Sequence, residues 1–240
     1  HSKIYVLIVV LTFIIYGNGI NNEYALDDNI VTDGNKMIEE GFKALPEIFQ
    51  SRYAIDAKQT YDYRPLVIAS FAIEKQFFSK LPPSQSKDEK KRKDKLTQAN
   101  VSHFINVLLY ALTCIVIFQV LIKLFESSHI LLPLVITLLY LVHPLHTEVV
   151  DNIKSRDELM MFLFMLLSIK YFFKYADTSK IKYLVLASLL VLLSGLSKKN
   201  GVAIVAILPV LMYFKSYNYK KILISCGTFL VISVTFVLIK

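Results

Sequence analysis

Three polar clusters interrupt an otherwise apolar chain: Asp27-Asp28, the run His143-Pro-Leu-His146-Thr-Glu148 continued by Arg156-Asp157-Glu158, and Ser197-Lys198-Lys199-Asn200. A carboxylate can take a hydroxyl proton, an imidazole can donate or accept one, and guanidinium or ammonium groups can hold a phosphate. Each cluster also has a purely structural reading. Asp27 and Asp28 suit a turn after a helix, continued by Asn29. Ser155-Arg156-Asp157-Glu158 has capping-box spacing, Ser at the N-cap and Glu three residues on. His143-x-x-His146-x-Glu148 invites zinc, but Pro144 breaks the helix that would align two ligands and no third His or Cys lies nearby, so no metal is expected. Lys198 and Lys199 fit lysines snorkelling at a helical hairpin. Charged groups at membrane boundaries are costly unless solvated or used.

The elements that must position these groups are membrane helices. The 240 residues are 55% hydrophobic with a mean hydropathy of +0.50, too apolar for a soluble domain. The net charge of +8 does not point to nucleic acid, because the Lys and Arg residues sit between apolar runs or in one loop, where lipid headgroups and the positive-inside bias account for them. Cys114 and Cys226 fall inside apolar runs without disulfide or metal spacing. Apolar runs occupy about 4–20, 104–125, 130–142, 158–173, 181–196, 201–214 and 222–239, which predicts roughly seven transmembrane helices. The first lacks a small-residue cleavage site before Asn21 and reads as a membrane helix, not a signal peptide. Starting at His1 and stopping at Lys240 after an apolar run, the sequence reads as a fragment of a longer protein. Several runs fall short of the ~20 residues that span a bilayer, as expected around a locally thin or water-invaded cavity.

Lys123, Lys174, Lys180, Lys182, Lys215, Lys220 and Lys221 fall in one set of short loops; Lys154, Arg156, Lys198 and Lys199 fall in the other, diluted by Glu148, Asp151, Asp157 and Glu158. Positive-inside places the first set in the cytoplasm, so 21–103, 143–157 and 197–200 share the opposite face. The long loop has structure of its own: Ile38, Phe42, Leu45 and Phe49 recur at helical spacing, and Arg64-Pro65 opens a second helical run through Leu66, Ile73 and Phe77. Both are expected to lie on the membrane surface. By composition, 81–100 is a solvated linker. The expected organisation is a first transmembrane helix at 1–20, an extracytoplasmic loop with surface helices and a basic linker at 21–103, and about six further transmembrane helices at 104–240.

Taken in order, Tyr24-Ala-Leu-Asp-Asp-Asn-Ile, Tyr63-Arg-Pro-Leu, His143-Pro-Leu-His-Thr-Glu-Val-Val followed by Lys154-Ser-Arg-Asp-Glu-Leu, and Leu196-Ser-Lys-Lys-Asn resemble the transmembrane-and-tetratricopeptide-repeat (TMTC) O-mannosyltransferases and their bacterial relatives. The resemblance covers nearly the whole sequence and extends to the GT-C superfamily of glycosyltransferases that use polyprenyl-phosphate sugars. Lys199 departs from the motif, which usually continues with Glu or Gly, and the family's tetratricopeptide repeats are not in this sequence. The resemblance implies an all-α membrane protein, a multi-span GT-C helical bundle with a long extracytoplasmic first loop. It further implies transfer of a sugar, mannose in this family, from a dolichyl- or polyprenyl-phosphate donor to Ser/Thr hydroxyls of proteins, with inversion and without a cofactor.

On that footing Asp27 or Asp28 takes the hydroxyl proton while its neighbour holds the acceptor or the sugar hydroxyls. Arg64, Arg156, Lys198 and Lys199 stabilise charge growing on the lipid phosphate, and His143 and His146, with Glu148 and Asp157 beside them, contact donor. A phosphate-linked sugar has a weakly basic leaving group, so one carboxylate can suffice where glycoside hydrolysis needs two. The partners are then membrane lipid, a lipid-linked sugar and a protein acceptor, in a bacterial inner membrane or, for a eukaryote, the endoplasmic reticulum. A transporter or flippase of a lipid-linked sugar is the alternative, and a non-catalytic membrane anchor a third reading. Paired acids in a large loop and the lack of inverted repeats favour the enzyme.

Overall fold

The structure is a computed structural model and describes residues 1–32, 35–50, 54–56, 59–60, 63–78 and 87–239. Among these the chain is helical apart from one short antiparallel pair, β1 (Ala54–Asp56) and β2 (Gln59–Thr60). Helix α1 (Ser2–Tyr16) runs into a 3₁₀ turn at Gly17–Asn21, and a second 3₁₀ turn at Leu26–Val31 carries Asp27 and Asp28. Short helices α2 (Lys36–Glu39) and α3 (Leu45–Ile48) flank a 3₁₀ turn at Gly41–Ala44. The spacing of Ile38, Phe42, Leu45 and Phe49 thus yields three short pieces and no continuous helix. Gly41, at φ +61°, sits in the left-handed region that favours glycine and ends the short helix before it.

Helix α4 (Pro65–Phe78) begins with proline in its first turn, where the absent N–H breaks no helical bond. Its inner face, Val67, Ile68, Phe71 and Ala72, is buried, whereas Ile73, Phe77 and Phe78 are exposed, Phe77 meeting Phe42 edge to face at 5.6 Å. Helix α5 (Lys87–Leu124) replaces most of the expected linker, whose portion 81–86 lies outside the described residues. Lys, Glu and Arg signal solvation but are good helix formers, and neither Gly nor Pro interrupts 87–124.

The remaining helices are α6 (Leu131–Leu141), α7 (His146–Asp151), α8 (Arg156–Thr178), α9 (Ile181–Ser197), α10 (Ile204–Phe214) and α11 (Tyr219–Ile239). Every apolar run of the sequence is therefore helical. Three stretches among the described residues are long and apolar enough to cross a membrane: Ser2–Asn21, Leu96–Leu124 and Ile153–Thr178. The apolar helices Leu131–Leu141, Ile181–Ser197 and Lys199–Phe214 are shorter, and at 1.5 Å per residue the 11 of α6 rise only about 16 Å.

Two compact units divide the chain, one of His1–Ala111 with His143–Leu159, the other of Leu112–Val142 with Met160–Lys240. In the first, Tyr16 of α1 meets Tyr110 of α5 edge on at 5.1 Å and Phe13 meets Phe104 at 5.7 Å. Asn106 Nδ2 donates to the Asn152 carbonyl (3.2 Å), tying α5 to the chain between α7 and α8. In the second, Phe172 of α8 packs on Phe229 of α11 at 4.5 Å. Lys123 pairs with Asp177 (2.8 Å) and with Glu126, Lys215 pairs with Glu126 (2.6 Å), and Tyr217 Oη donates to Asp177 (2.7 Å), clasping the ends of α5, α8 and α10.

Candidate functional site

The acidic pair occupies consecutive positions of one 3₁₀ turn, and the two carboxylates have different surroundings. Asp28 is 1% exposed; its Oδ2 accepts from Ala25 N–H (2.9 Å) and its Oδ1 from Lys154 N–H (3.0 Å). Thr32 Oγ1 donates to the Asp28 carbonyl (2.7 Å). Asp28 therefore fastens its own turn to the 3₁₀ turn Ile153–Ser155, two segments 126 residues apart. Asp27 is exposed, with Oδ2 2.5 Å from Lys154 Nζ. Exposed pairs of this kind contribute only about 0–1 kcal/mol, so a ligand can replace the lysine at modest cost.

Arg64, placed just before α4, pairs with Asp157 in the first turn of α8. Asp157 also accepts the Glu158 N–H (2.6 Å), so this carboxylate meets a helix-start donor that the capping-box reading assigned to Ser155. Tyr63 Oη donates to the Phe49 carbonyl (2.6 Å), holding the chain just ahead of Arg64, and burial pushes its phenol above the usual range.

Arg156 differs from the expected phosphate contact. It is fully buried, with NH1 donating to Glu74 Oε2 (2.8 Å), Nε to Asn106 Oδ1 (2.9 Å) and NH2 to the Ser102 carbonyl (3.1 Å), and its guanidinium lies 3.9 Å over the Phe71 ring. Ser102 Oγ donates to the other oxygen of Glu74. With its charge compensated inside, Arg156 joins α4, α5 and α8 and presents nothing to solvent.

His146 is half-buried, its Nδ1 2.8 Å from Tyr110 Oη, while His143 is exposed and accepts Leu145 N–H at Nδ1 (3.3 Å). The two rings are 5.7 Å apart, and Glu148 is exposed on α7. Lys198 and Lys199 belong to the second unit. Lys198 is extended between α9 and the 3₁₀ turn Lys199–Ala203, and the hairpin closes because Gly201 lacks a Cβ, which would come 2.4 Å from Ser194 Oγ. Ser194 Oγ in turn donates to the Met161 carbonyl (2.9 Å).

The first unit thus brings together Asp27, Asp28, Arg64, His143, His146, Glu148, Arg156 and Asp157 from three separate stretches. Sequence reasoning passed over Lys154, although it stands inside the motif, and the buried Glu74, Asn106 and His103. A polar residue within or beside an apolar helix was the available signal, and Asn106 and His103 carry it.

These features define a helical, membrane-associated protein whose first unit carries a polar cluster. The chain is similar to the protein O-mannosyl-transferase TMTC3 of Homo sapiens, 26% identical over 233 residues, which cover 93% of this chain and 23% of that protein. It spans about a quarter of that relative's length. No family model matches the chain, and no solved structure matches it.

Proposed function

We propose that this chain is the membrane-embedded part of a GT-C glycosyltransferase that moves mannose from a polyprenyl-phosphate carrier to Ser/Thr hydroxyls of proteins on the extracytoplasmic face. The observation that supports it is the junction at Lys154, where the acidic turn and the segment after the His-Pro-Leu-His-Thr-Glu run meet through an exposed ion pair and a part-buried hydrogen bond from the Lys154 N–H to the Asp28 carboxylate. The resemblance to a mannosyltransferase supplies the reaction.

Asp27 is the solvent-facing carboxylate and serves as general base. The acceptor oxygen attacks the anomeric carbon, its proton passes to Asp27, and the bond from that carbon to the phosphate oxygen breaks, so the lipid phosphate leaves with the electron pair. Lys154 stands where that negative charge or the base can be steadied, and Arg64, half-buried, is the guanidinium of the group that retains contact with solvent. His143, His146 and Glu148 line the same segment and contact donor or acceptor hydroxyls. Arg156 and Asp157 hold the scaffold. For Lys198 and Lys199 a phosphate contact rests on motif and charge alone. The exposed Ile73, Phe77 and Phe78 of α4 suit a helix lying on the lipid surface.

The reading is tested by reconstituting the chain in nanodiscs with polyprenyl-phosphate mannose and a Ser/Thr peptide. Mannosylated peptide with inverted anomeric configuration is expected; movement of the lipid across a bilayer without transfer identifies the flippase instead.

A further inference from the structure

The turn that joins α8 to α9 is flanked by lysines that the site above leaves unused. Lys170, Lys174 and Lys182 all belong to the second unit and gather around two tyrosines. Lys174 Nζ lies 4.6 Å from the centroid of the Tyr183 ring, and Lys182 Nζ lies 5.2 Å from the same centroid. Tyr183 stacks on Tyr171 at 6.4 Å with the ring planes 20° apart, and Lys170 Nζ lies 5.6 Å from the Tyr171 centroid. Lys170 Nζ also donates to Gln119 Oε1 of α5 (2.7 Å). Aromatic faces attract cations, so two ammoniums are held about one ring despite their mutual repulsion.

What the cluster lacks is a counter-charge. Asp177, on the turn of α8 after Lys174, is taken by Lys123 and Tyr217, and Glu126 is taken by Lys123 and Lys215. Among the described residues no carboxylate forms an ion pair with Lys170, Lys174 or Lys182. Lys174 and Lys182 are exposed, whereas Lys170 is half-buried and stands about two turns before the end of α8 at Thr178, inside a stretch apolar enough to cross a membrane. An ionisable group at that depth marks a place where a charge is used. Lysines that only snorkel turn outward one by one; these converge on a pair of stacked rings. The apolar surface beside them shows what kind of anion fits. Lys182, Val185, Leu186 and Leu189 stand at i, i+3, i+4 and i+7 of α9 and share one face, and the three apolar residues are 54%, 36% and 53% exposed. A soluble anion makes no use of that strip. A lipid does, with its phosphate on the lysines and an acyl chain along the helix.

We propose that Lys170, Lys174 and Lys182 form a seat for the headgroup phosphate of an anionic phospholipid whose acyl chain runs along Val185, Leu186 and Leu189. The phosphate supplies the counter-charge that the chain's own carboxylates do not, and Tyr171 and Tyr183 hold the ammoniums together before it arrives. The site is independent of the proposed transfer reaction and of the residues assigned to it.

The test measures how strongly spin-labelled phosphatidylglycerol associates with the full chain in phosphatidylcholine bilayers, relative to spin-labelled phosphatidylcholine. Lys170→Gln, Lys174→Gln and Lys182→Gln are compared with the unchanged protein and with Lys220→Gln, which removes a charge from the exposed start of α11, each with its thermal unfolding midpoint. The unchanged protein is expected to prefer phosphatidylglycerol, and each cluster variant to lose about three- to fivefold of that preference while Lys220→Gln keeps it. Should Lys170→Gln fail to fold, the exposed positions 174 and 182 carry the test, singly and together. An unchanged preference in the folded cluster variants overturns the site. So does an equal loss in Lys220→Gln, which marks surface charge alone, and so does full displacement by soluble glycerol phosphate, which marks a free-anion site. A chain that shows no preference between the two lipids before any substitution overturns the proposal outright.

Discussion

Consecutive residues of a 3₁₀ turn point about 120° apart, so a doublet of acids on one cannot face the same surroundings. In this chain the turn leaves Asp27 in solvent and drives Asp28 inward onto two backbone N–H groups. Asp28→Ala leaves the Ala25 and Lys154 donors unpaired, at about 1–3 kcal/mol each. A clear drop in thermal unfolding midpoint is expected for Asp28→Ala, whereas Asp27→Ala, at an exposed position, stays within about 0.5 kcal/mol of the unchanged protein. Equal midpoints for the two variants would refute this division of labour. The doublet is legible in sequence as chemistry. Which member faces out is not, since it depends on the Lys154 N–H arriving from 126 residues away.

Helices are the easiest elements to read here, because beyond residue 104 most apolar runs are longer than the turns between them. Yet sequence misjudges what holds them. Glu74 sits among Ile73, Phe77 and Phe78, which are exposed, and nothing local shows that it points the other way, into Arg156. Arg156 for its part reads as a boundary cation until its partner, 82 residues earlier, is known. Removing one member of a buried ion pair costs about 3–5 kcal/mol because the other is left uncompensated. Glu74→Ala should therefore unfold the first unit far more readily in thermal or denaturant titration. The double replacement Glu74→Leu with Arg156→Met should recover most of that loss, since apolar residues of similar volume replace buried pairs at little cost. Failure of the double variant to recover any stability would show that Asn106 and the Ser102 carbonyl depend on the guanidinium itself. Of the linker expected at 81–100, the described part 87–100 is helical, because charge density reports solvation and says nothing against a helix.

At the scale of the whole molecule, the positive-inside rule leads us to propose that the lysine-rich turns at 174–182 and 215–221 face the opposite side of the membrane from 21–103 and 143–157. Cysteines introduced at the exposed Leu145 and Ser179 should react with an impermeant reagent from opposite sides of an intact membrane. Labelling of both from one side would overturn the arrangement. In the proposed reaction the base is one exposed carboxylate beside a lysine, and Asp27→Asn keeps its shape while removing its capacity to take a proton. Sugar transfer from polyprenyl-phosphate mannose to a Ser/Thr peptide, measured for Asp27→Asn in nanodiscs alongside donor affinity, is the most direct measurement. Transfer lowered by about 10²- to 10⁴-fold with donor affinity retained is expected of a general base; transfer at the unchanged rate would contradict the account.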